Sequence, residues 1–282
     1  MRIVVTGAHG QLAAAVVHEF ARKHEVVALD RAALDITDDE AVSKAMGRAR
    51  PDVIINGAAY NAVDAAESHP VEALQINALG VRALARAASE CHATLVQYSS
   101  DFVFDGRGTQ PYVEDDATNP RSVYAASKLL GEWFAADAPR AYVLRVESLF
   151  GAVPGARPSK GSVASIVNGL KTGAATRVFE DRTVSPTFVI DGARATFALI
   201  ARQAEPGVYH CVNSGHCTWL ELATEAARLI GVTPQFDVVR FADSTFPAAR
   251  PQYCALSNAK LAAAGFAMPS WQDALRRYLS TS

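Results

Sequence analysis

A tyrosine and a lysine, Tyr124 and Lys128, stand four positions apart in the stretch YAASK. On a helix these positions lie on one face, so the two side chains are expected to be neighbours. A nearby ammonium group favours the phenolate, which predicts a tyrosine pKa below its usual value near 10. Such a phenol can act as a general acid or base near neutral pH. A buried tyrosine beside a snorkelling lysine on an ordinary amphipathic helix would give the same spacing.

A serine upstream decides between these two interpretations. Ser100 ends the run TLVQYSS, whose apolar character predicts a strand. In a doubly wound sheet the carboxyl ends of the strands line the ligand crevice. The hydroxyl of Ser100 is therefore placed to hydrogen-bond a substrate carbonyl group, and Ser100, Tyr124 and Lys128 are predicted to be catalytic.

A glycine-rich turn lies ahead of these residues. The stretch TGAHGQLA, residues 6–13, follows the first predicted strand and opens the first predicted helix. Gly7 permits a tight turn and Gly10 lets the backbone approach a pyrophosphate, while the helix N-terminus offers free N–H groups. The third position of the pattern holds a small residue, Ala13. The predicted cofactor contacts in this turn are Gly7, His9, Gly10, Gln11 and Leu12.

The coenzyme type depends on two residues after the second predicted strand. Asp30 is placed to accept hydrogen bonds from ribose hydroxyls, which favours NADH, whereas Arg31 could bind a 2′-phosphate, which favours NADPH. The sequence leaves both coenzymes open. Asn56 is expected to pass under the cofactor and Asn77 to bond the backbone nearby. Further predicted cofactor contacts are Asp35, Ile36, Gly57, Ala58 and Ala59.

Strand-like and helix-like runs alternate over the first half of the chain. Continuous Val/Ile runs with helices between them predict an α/β fold with a Rossmann-type, doubly wound parallel sheet. We predict a nucleotide-binding domain over 1–150, to which 186–213 returns. The segments 151–185 and 214–282 are predicted to form a smaller, mostly helical substrate-binding lobe.

The composition is that of an ordinary globular protein. The chain has 282 residues, of which 50% are hydrophobic, and a net charge of −2. No basic run stands out, so nucleic acid is not an expected partner. The apolar runs are far shorter than a membrane span, and the N-terminus lacks a signal-peptide pattern, so we predict a cytoplasmic protein without a membrane partner.

The segment HCVNSGHC, residues 210–217, invites a metal interpretation. Its spacing matches no common zinc pattern. A strand, a turn and a helix opened by a capping box of Thr218 and Glu221 explain it better. No metal site is expected.

Several landmarks occur in order along nearly the whole chain. The strand-end serine, the YxxxK pair and the N-terminal glycine turn resemble the extended branch of the short-chain dehydrogenase/reductase superfamily. The order of these landmarks is similar to that of the dTDP-4-dehydrorhamnose reductase family. They are GQL, LDITD, PDVIINGAAYNAVDAAE, SDFVFDG, PYVEDDATNPRSVYAASKLLGE, SPTFVID, GVYHCVNSG and ARPQYCALSNAKL.

The resemblance implies reduction of the 4-keto group of a nucleotide sugar by NADPH or NADH. It implies that Tyr124 protonates the developing alkoxide, that Ser100 polarises the carbonyl, and that Lys128 holds the nicotinamide ribose. Arg250 is expected to bind the substrate diphosphate. A homodimer is compatible with the resemblance. The predicted substrate contacts are Asp101, Phe102, Glu147, Ser148 and Arg250.

The chain departs from the family pattern in one place. Where these reductases often read RTSWVYG, it reads RVESLFG, so Glu147 replaces a small polar residue and Ser148 replaces a tryptophan. We therefore expect an altered sugar. Dehydration is not expected. The 4,6-dehydratases of the extended branch have a glutamate that acts as the base at this position, and here the position holds Phe102, which cannot remove a proton. Three alternatives stay open: an epimerase, a reductase of another carbonyl, and a non-catalytic regulatory subunit, since that of methionine adenosyltransferase resembles the same family.

Overall fold

Strands and helices alternate from the first residues onward. The computed structural model describes residues 1–156 and 161–280. In chain order the strands are β1 (Arg2–Thr6), β2 (Glu25–Leu29), β3 (Val53–Asn56), β4 (Thr94–Ser100), β5 (Ala141–Val146), β6 (Leu149–Phe150), β7 (Thr176–Phe179), β8 (Thr183–Val184), β9 (Thr187–Phe188), β10 (Gly207–His210), β11 (Cys217–Thr218) and β12 (Phe236–Val239).

The helices separate these strands. They are α1 (Gln11–Phe20), α2 (Asp39–Ala49), α3 (Val63–Ser68), α4 (Pro70–Leu74), α5 (Gly80–Cys91), α6 (Val123–Ala135), α7 (Ser162–Thr172), α8 (Val189–Ala201), α9 (Trp219–Ile230), α10 (Ala259–Ala263) and α11 (Trp271–Leu279). A π-helical turn, Gln75–Leu79, joins α4 to α5, and a 3-10 turn, Asp101–Val103, follows β4.

Six strands form one parallel sheet. Their order is β2-β1-β3-β4-β5-β10, and every neighbouring pair runs in the same direction. The order reverses beside β1, since β2 lies on one side of it and β3 on the other. A crevice opens above such a reversal, outside the carboxyl ends of the strands. The predicted doubly wound, Rossmann-type sheet is confirmed.

Apolar helix faces cover both sides of this sheet. On one side α1 packs with α8, and Leu12, Val16 and Ala193 are among the side chains that share a buried cluster with the strands. On the other side α2, α5 and α6 bury a second cluster around Val42 and Leu84. Because both faces of the sheet are covered, its inner strands need continuous apolar runs rather than alternating ones.

The remaining elements form a separate core. Helices α7, α9 and α11 pack with short strands around a third buried cluster that contains Val167, Leu222 and Trp271. Small two-stranded pairings, β7 with β12, β8 with β11 and β6 with β9, complete this part. The chain reaches it after β5 and again after β10, so the crevice above the large sheet borders both cores. None of the helices in the described part of the chain has the length and apolarity of a membrane span.

The segment around His210 has the predicted local structure. His210 ends β10, and Thr218 and Glu221 form a reciprocal capping box at the start of α9. The Nδ1 atom of His210 lies 3.1 Å from the carbonyl oxygen of Ser257. Burial lowers the pKa of His210 to about 3, so the imidazole is neutral at physiological pH.

Candidate active site

The turn between β1 and α1 is packed too closely for side chains. Gly7 has a φ of 62°, and a Cβ atom there would lie 2.5 Å from the backbone nitrogen of Ala58. A Cβ atom at Gly57 would lie 2.5 Å from the Cβ atom of Ala13. Gly10 precedes α1, so the first N–H groups of that helix point into the same crevice. The backbone of two strand ends therefore forms the cradle that a dinucleotide pyrophosphate requires.

A cleft of ≈260 Å³ opens at this cradle. Nε2 of His9 lies 3.3 Å from Oδ2 of Asp30, whose Oδ1 accepts a 2.9 Å hydrogen bond from Ala33 N–H. Arg31 is exposed at the rim of the cleft. Leu34, Asn61 and Ile76 also line this cleft, and the sequence does not predict them. The predicted cofactor residues lining this cleft are Gly7, His9, Gly10, Asp30, Arg31, Asp35, Ile36, Gly57, Ala58 and Ala59.

A second cleft, of ≈450 Å³, continues from the first toward the smaller core. It brings together segments that are far apart in the sequence, which is the placement expected for a substrate site. Gln11 and Leu12 lie here, and the side chain of Gln11 donates a 2.7 Å hydrogen bond to the carbonyl of Gly151. The predicted catalytic and substrate residues lining this cleft are Ser100, Asp101, Phe102, Tyr124, Lys128, Glu147, Ser148 and Arg250.

Helix α6 holds Tyr124 and Lys128 against the strand ends. Ser122 caps this helix by accepting a hydrogen bond from Ala125 N–H. Nδ2 of the buried Asn77 donates a 2.9 Å hydrogen bond to Oγ of Ser127, and its Oδ1 accepts a 2.8 Å bond from Tyr60 N–H. The predicted backbone contact of Asn77 is confirmed. These bonds fix the rotation of α6 around its axis.

The phenol of Tyr124 is buried and contacts the hydroxyl of Ser100. Burial and the nearby Asp101 carboxylate raise the pKa of Tyr124 to about 12, and the contact with Ser100 offsets part of this rise. The expectation that Lys128 lowers this pKa is wrong for these side chains, because Nζ of Lys128 donates a 2.6 Å hydrogen bond to the carbonyl of Tyr98. The structure therefore holds Tyr124 as a protonated phenol.

Lys128 stands at the end of a buried polar chain. Asn56 accepts a 2.6 Å hydrogen bond from Thr6 and donates a 2.7 Å bond to Gln97. The amide of Gln97 in turn donates a 2.8 Å bond to the Tyr98 carbonyl that Lys128 also binds. Burial lowers the pKa of Lys128 to about 8. Asn56 is predicted from the sequence to pass under the cofactor, whereas Gln97 carries no such signal because it lies within an apolar strand.

Charged side chains gather at the far end of the second cleft. Asp101 and Glu147 are buried, with 4% and 3% of their surfaces exposed. Oδ1 of Asp101 accepts a 2.9 Å hydrogen bond from Ser100, and Oε2 of Glu147 accepts a 2.5 Å bond from Ser185 N–H. Burial raises the pKa of both carboxyl groups, and their mutual repulsion raises that of Glu147 further. The positive charge of Arg182 lies near both carboxyl groups and offsets part of these rises.

The walls of this end are partly aromatic. The ring of Phe102 meets the ring of Tyr124 edge-on, with centroids 5.5 Å apart. Ser148 has a φ of 43°, a left-handed conformation that is uncommon for a residue other than glycine. Trp219, the first residue of α9, supplies an indole ring to the same cleft. The sequence does not predict Trp219 and Arg182 as cleft residues, since neither belongs to a local motif.

Arg250 enters the second cleft from the C-terminal segment. Its guanidinium lies 2.6 Å from Oδ2 of Asp64 and 4.9 Å above the ring of Phe246. The side chain is 19% exposed. A positive group is therefore held at the cleft wall, with one of its faces already used by a carboxylate.

A parallel, doubly wound sheet with a glycine cradle at its switch point, and a Ser–Tyr–Lys set beside it, defines an extended short-chain dehydrogenase/reductase. The comparison with known families is more specific. The sequence model described as the RmlD substrate binding domain matches residues 1–282. The chain belongs to this family, which confirms the resemblance found in the sequence.

Several related proteins align with almost the whole chain. It is 37% identical to a dTDP-4-dehydrorhamnose reductase of Streptomyces griseus, over 97% of this chain and 91% of that protein. It is 35% identical to a probable dTDP-4,6-dihydroxy-2-methyloxan-3-one 4-ketoreductase of Streptomyces antibioticus, over 98% and 94%. A crystal structure of the Bacillus anthracis dTDP-4-dehydrorhamnose reductase in complex with NADP superposes with a TM-score of 0.93, at 31% identity, covering 100% of this chain and 99% of that one.

Proposed function

We propose that this protein reduces the 4-keto group of a nucleotide-diphospho-sugar with NADPH or NADH. The observation that carries the proposal is the position of Ser100, Tyr124 and Lys128 in one cleft that continues into the glycine cradle. The relatives that are named as 4-ketoreductases of dTDP-sugars support the substrate class.

The chain's own groups perform the acid catalysis. When bound, the coenzyme supplies the hydride that goes to the carbonyl carbon. Tyr124 then gives its phenolic proton to the developing alkoxide, and its pKa of about 12 keeps that proton in place until charge develops on the substrate. Ser100 lies beside the phenol, and its hydroxyl would donate a hydrogen bond to the same oxygen after turning away from Oδ1 of Asp101. Lys128, whose Nζ is held by the carbonyl of Tyr98, would bind the nicotinamide ribose, as the family resemblance implies.

The glycine cradle fits the pyrophosphate of a dinucleotide coenzyme, because Cβ atoms at Gly7 and Gly57 would fill it. We propose NADPH as the preferred coenzyme. Asp30 is already engaged by His9 and by Ala33 N–H, while Arg31 is exposed at the same cleft and is available to bind a 2′-phosphate. The NADP complex of the Bacillus anthracis relative supports this choice.

We also propose that the two cores bind different molecules, as the sequence predicts. Residues 1–150 and 186–213 would bind the coenzyme, and 151–185 with 214–282 would bind the substrate. Arg250 would bind the diphosphate after exchanging its Asp64 contact. A cytoplasmic location and a homodimer stay predictions.

Oxidation of NADPH in the presence of a panel of 4-keto nucleotide sugars, with dTDP-4-dehydrorhamnose among them, tests the proposed function. Wild-type protein is expected to consume the coenzyme only when one of these sugars is present. Tyr124→Phe should lower kcat by at least the roughly 10²–10⁴-fold typical of a general acid, with unchanged NADPH binding. Tyr209→Phe, whose hydroxyl bonds the carbonyl of Glu205 away from the cleft, is the matched control. Full activity of Tyr124→Phe would refute the assignment, and coenzyme binding without any turnover would favour a regulatory subunit.

A further inference from the structure

Four side chains from separate parts of the chain meet at the second cleft, three of them lining it and the fourth, Cys254, lying behind them. Asp101 follows β4, Glu147 follows β5, Arg182 precedes β8 and Cys254 lies in the C-terminal segment. One ligand atom each of Asp101, Glu147 and Cys254 lies within 4.8 Å of the others. The guanidinium of Arg182 lies 3.8 Å from Sγ of Cys254. We call Asp101, Glu147 and Arg182 the acid–arginine cluster.

A bound cation does not explain this cluster. Arg182 already brings a positive charge next to all three candidate ligands, and it interacts with both carboxylates. A second cation at the same place would be repelled by the guanidinium. Burial also raises the pKa of the Cys254 thiol well above its usual range, so this sulfur is a poor metal ligand near neutral pH.

The cluster contains one unused acceptor and one unused donor. Within residues 1–156 and 161–280, Oδ2 of Asp101 and Nε of Arg182 are buried polar atoms without a nitrogen or oxygen partner, and the Asp101 carboxyl has only the weak thiol donor of Cys254 besides Ser100 and backbone. Asp101 as a whole is only 4% exposed, and both residues line the cleft. A buried polar atom left without a partner lowers stability, because it has given up its hydrogen bonds to water. A ligand group that supplies a partner to either atom would recover part of this cost.

A hydroxyl group meets both requirements, because it donates one hydrogen bond and accepts others. The charge balance agrees with a neutral group. One guanidinium faces two carboxyl groups, and burial raises the pKa of both, so the pair tends to keep one proton. The cluster is then close to neutral, and an ammonium group would lack the second carboxylate that it needs.

The position of the cluster indicates which hydroxyl it would bind. Oγ of Ser100 donates a 2.9 Å hydrogen bond to Oδ1 of Asp101, so the cluster begins one hydrogen bond away from the residue placed to bind the carbonyl. A group held by the cluster therefore lies on a ring carbon close to that carbonyl.

We propose that the acid–arginine cluster is a specificity subsite that binds a free hydroxyl group on the sugar carbon next to the carbonyl. The identity of the sugar as the ligand rests on the proposed function. Asp101 also acts as a positioning residue, since its bond to Ser100 holds the serine side chain at the boundary between the cluster and the carbonyl site. Glu147 and Arg182 select the substrate without touching the reacting carbonyl.

A site built to hydrogen-bond a hydroxyl rejects the analogue that lacks it by a large factor, because its buried polar groups are left unpaired. We expect wild-type protein to bind thymidine diphospho-rhamnose at least ~100-fold more tightly than the same sugar nucleotide lacking the hydroxyl beside C4. Isothermal titration calorimetry in the presence of NADP⁺ measures both affinities without requiring turnover. The two ligands differ by one oxygen atom, so other contacts cancel.

The double variant Glu147→Gln/Arg182→Gln removes one negative and one positive charge together. Its preference for the hydroxylated sugar should fall to below ~10-fold, with unchanged affinity for NADP⁺. Glu147→Gln alone keeps an acceptor for Ser185 N–H and serves as the second variant if the double variant does not fold. It should reduce the preference at least ~3-fold.

Equal affinity of wild-type protein for the two sugars would overturn the subsite, and so would a preference that survives unchanged in both variants. The proposed function is judged separately by turnover. Turnover of the 4-keto sugar without hydroxyl preference leaves the function standing and removes the subsite. Hydroxyl preference without turnover supports the subsite and contradicts the proposed function. Failure to bind either sugar contradicts both proposals.

Discussion

The first cleft and the second cleft are built in different ways, and we call them the coenzyme end and the sugar end. The coenzyme end consists of backbone at two strand ends and of residues within short local stretches, Gly7 to Leu12 and Asp30 to Ile36. The sugar end consists of buried charged side chains delivered by four distant segments. The coenzyme end has exposed charges at its rim, whereas Asp101 and Glu147 are almost completely enclosed.

The coenzyme end binds a group common to many enzymes, whereas the sugar end must recognise one particular ligand. A pyrophosphate can be bound by backbone N–H groups, which any sequence supplies once glycine permits the approach. A sugar is distinguished by its hydroxyl groups, which require specific side chains in a dry environment. Burying such side chains raises or lowers their pKa and lowers stability, so the sugar end and Lys128 should be regions where function opposes stability.

The largest expected effect lies at the coenzyme end. Gly7→Ala should weaken NADPH binding by more than ~100-fold and destabilise the fold, because the new Cβ atom would meet the Ala58 backbone at 2.5 Å in a left-handed conformation. Gly47→Ala on α2 is the control, since no atom lies within 4 Å of its Cβ position. Fluorescence titration with NADPH and thermal unfolding measure the two effects. Equal affinities of both variants would show that the turn is not the cradle.

Lys128 lies where the two ends meet, and its removal should stabilise the protein while abolishing activity. Its pKa falls from 10.5 to about 8, so below pH 8 the folded protein holds a buried charge that the unfolded chain keeps in water. Allowing for the lost bond to Tyr98, Lys128→Met should gain about 2 kcal/mol in unfolding free energy at pH 7.

The sign of this effect sets its pH dependence. Between pH 8 and 10.5 the unfolded chain binds more protons than the folded one, so wild-type stability rises with pH and the advantage of Lys128→Met shrinks. Urea unfolding at pH 7 and at pH 9.5 tests this. Lys44→Met, at an exposed site, should change little at either pH. A stability loss for Lys128→Met at pH 7 would contradict the prediction.

A smaller stability gain is expected at the sugar end. Glu147→Gln should raise the unfolding free energy by about 1 kcal/mol at pH 7.5 and by almost nothing at pH 4. The raised pKa means that the folded protein retains a proton that the unfolded chain releases, so wild-type stability falls as pH rises above about 4.5. Thermal unfolding at the two pH values measures this. A gain of the same size at pH 4 would rule out a charge effect.

The smallest effect concerns coenzyme choice. Arg31 is exposed, so its contact with a 2′-phosphate should contribute about 1 kcal/mol, and Arg31→Ala should weaken NADPH binding roughly fivefold. NADH binding should stay the same, which makes NADH the internal control. The NADPH effect should shrink at high salt. Equal weakening of both coenzymes would place Arg31 outside the phosphate site.

The sheet and most of the site could be predicted from local patterns. The apolar runs of β1, β3 and β4 and the helix-forming stretches between them determine a doubly wound sheet, because both sheet faces must be covered. Once that topology is given, Ser100 and Gly7 must lie at the same edge. The family resemblance then placed Glu147 in the cleft, although spacing alone would not have done so.

Other features depended on contacts between distant segments. The prediction that Lys128 lowers the pKa of Tyr124 used the helix spacing correctly but did not include burial or the Asp101 carboxylate, and these reverse the direction. Gln97 and Trp219 carry no local signal, because an amide in a strand and a tryptophan at a helix start are common. Neither could be assigned to the cleft before the packing was known.

The sequence by itself determined the class of chemistry, since the glycine turn and the Tyr–Lys spacing act through local geometry that the backbone enforces. Only the tertiary structure decided which charges meet beside the substrate. Arg182 and Glu147 lie on separate loops, and they interact only because the fold brings these loops together at the cleft. Burial then sets their protonation, and that burial is a property of the whole fold rather than of any segment.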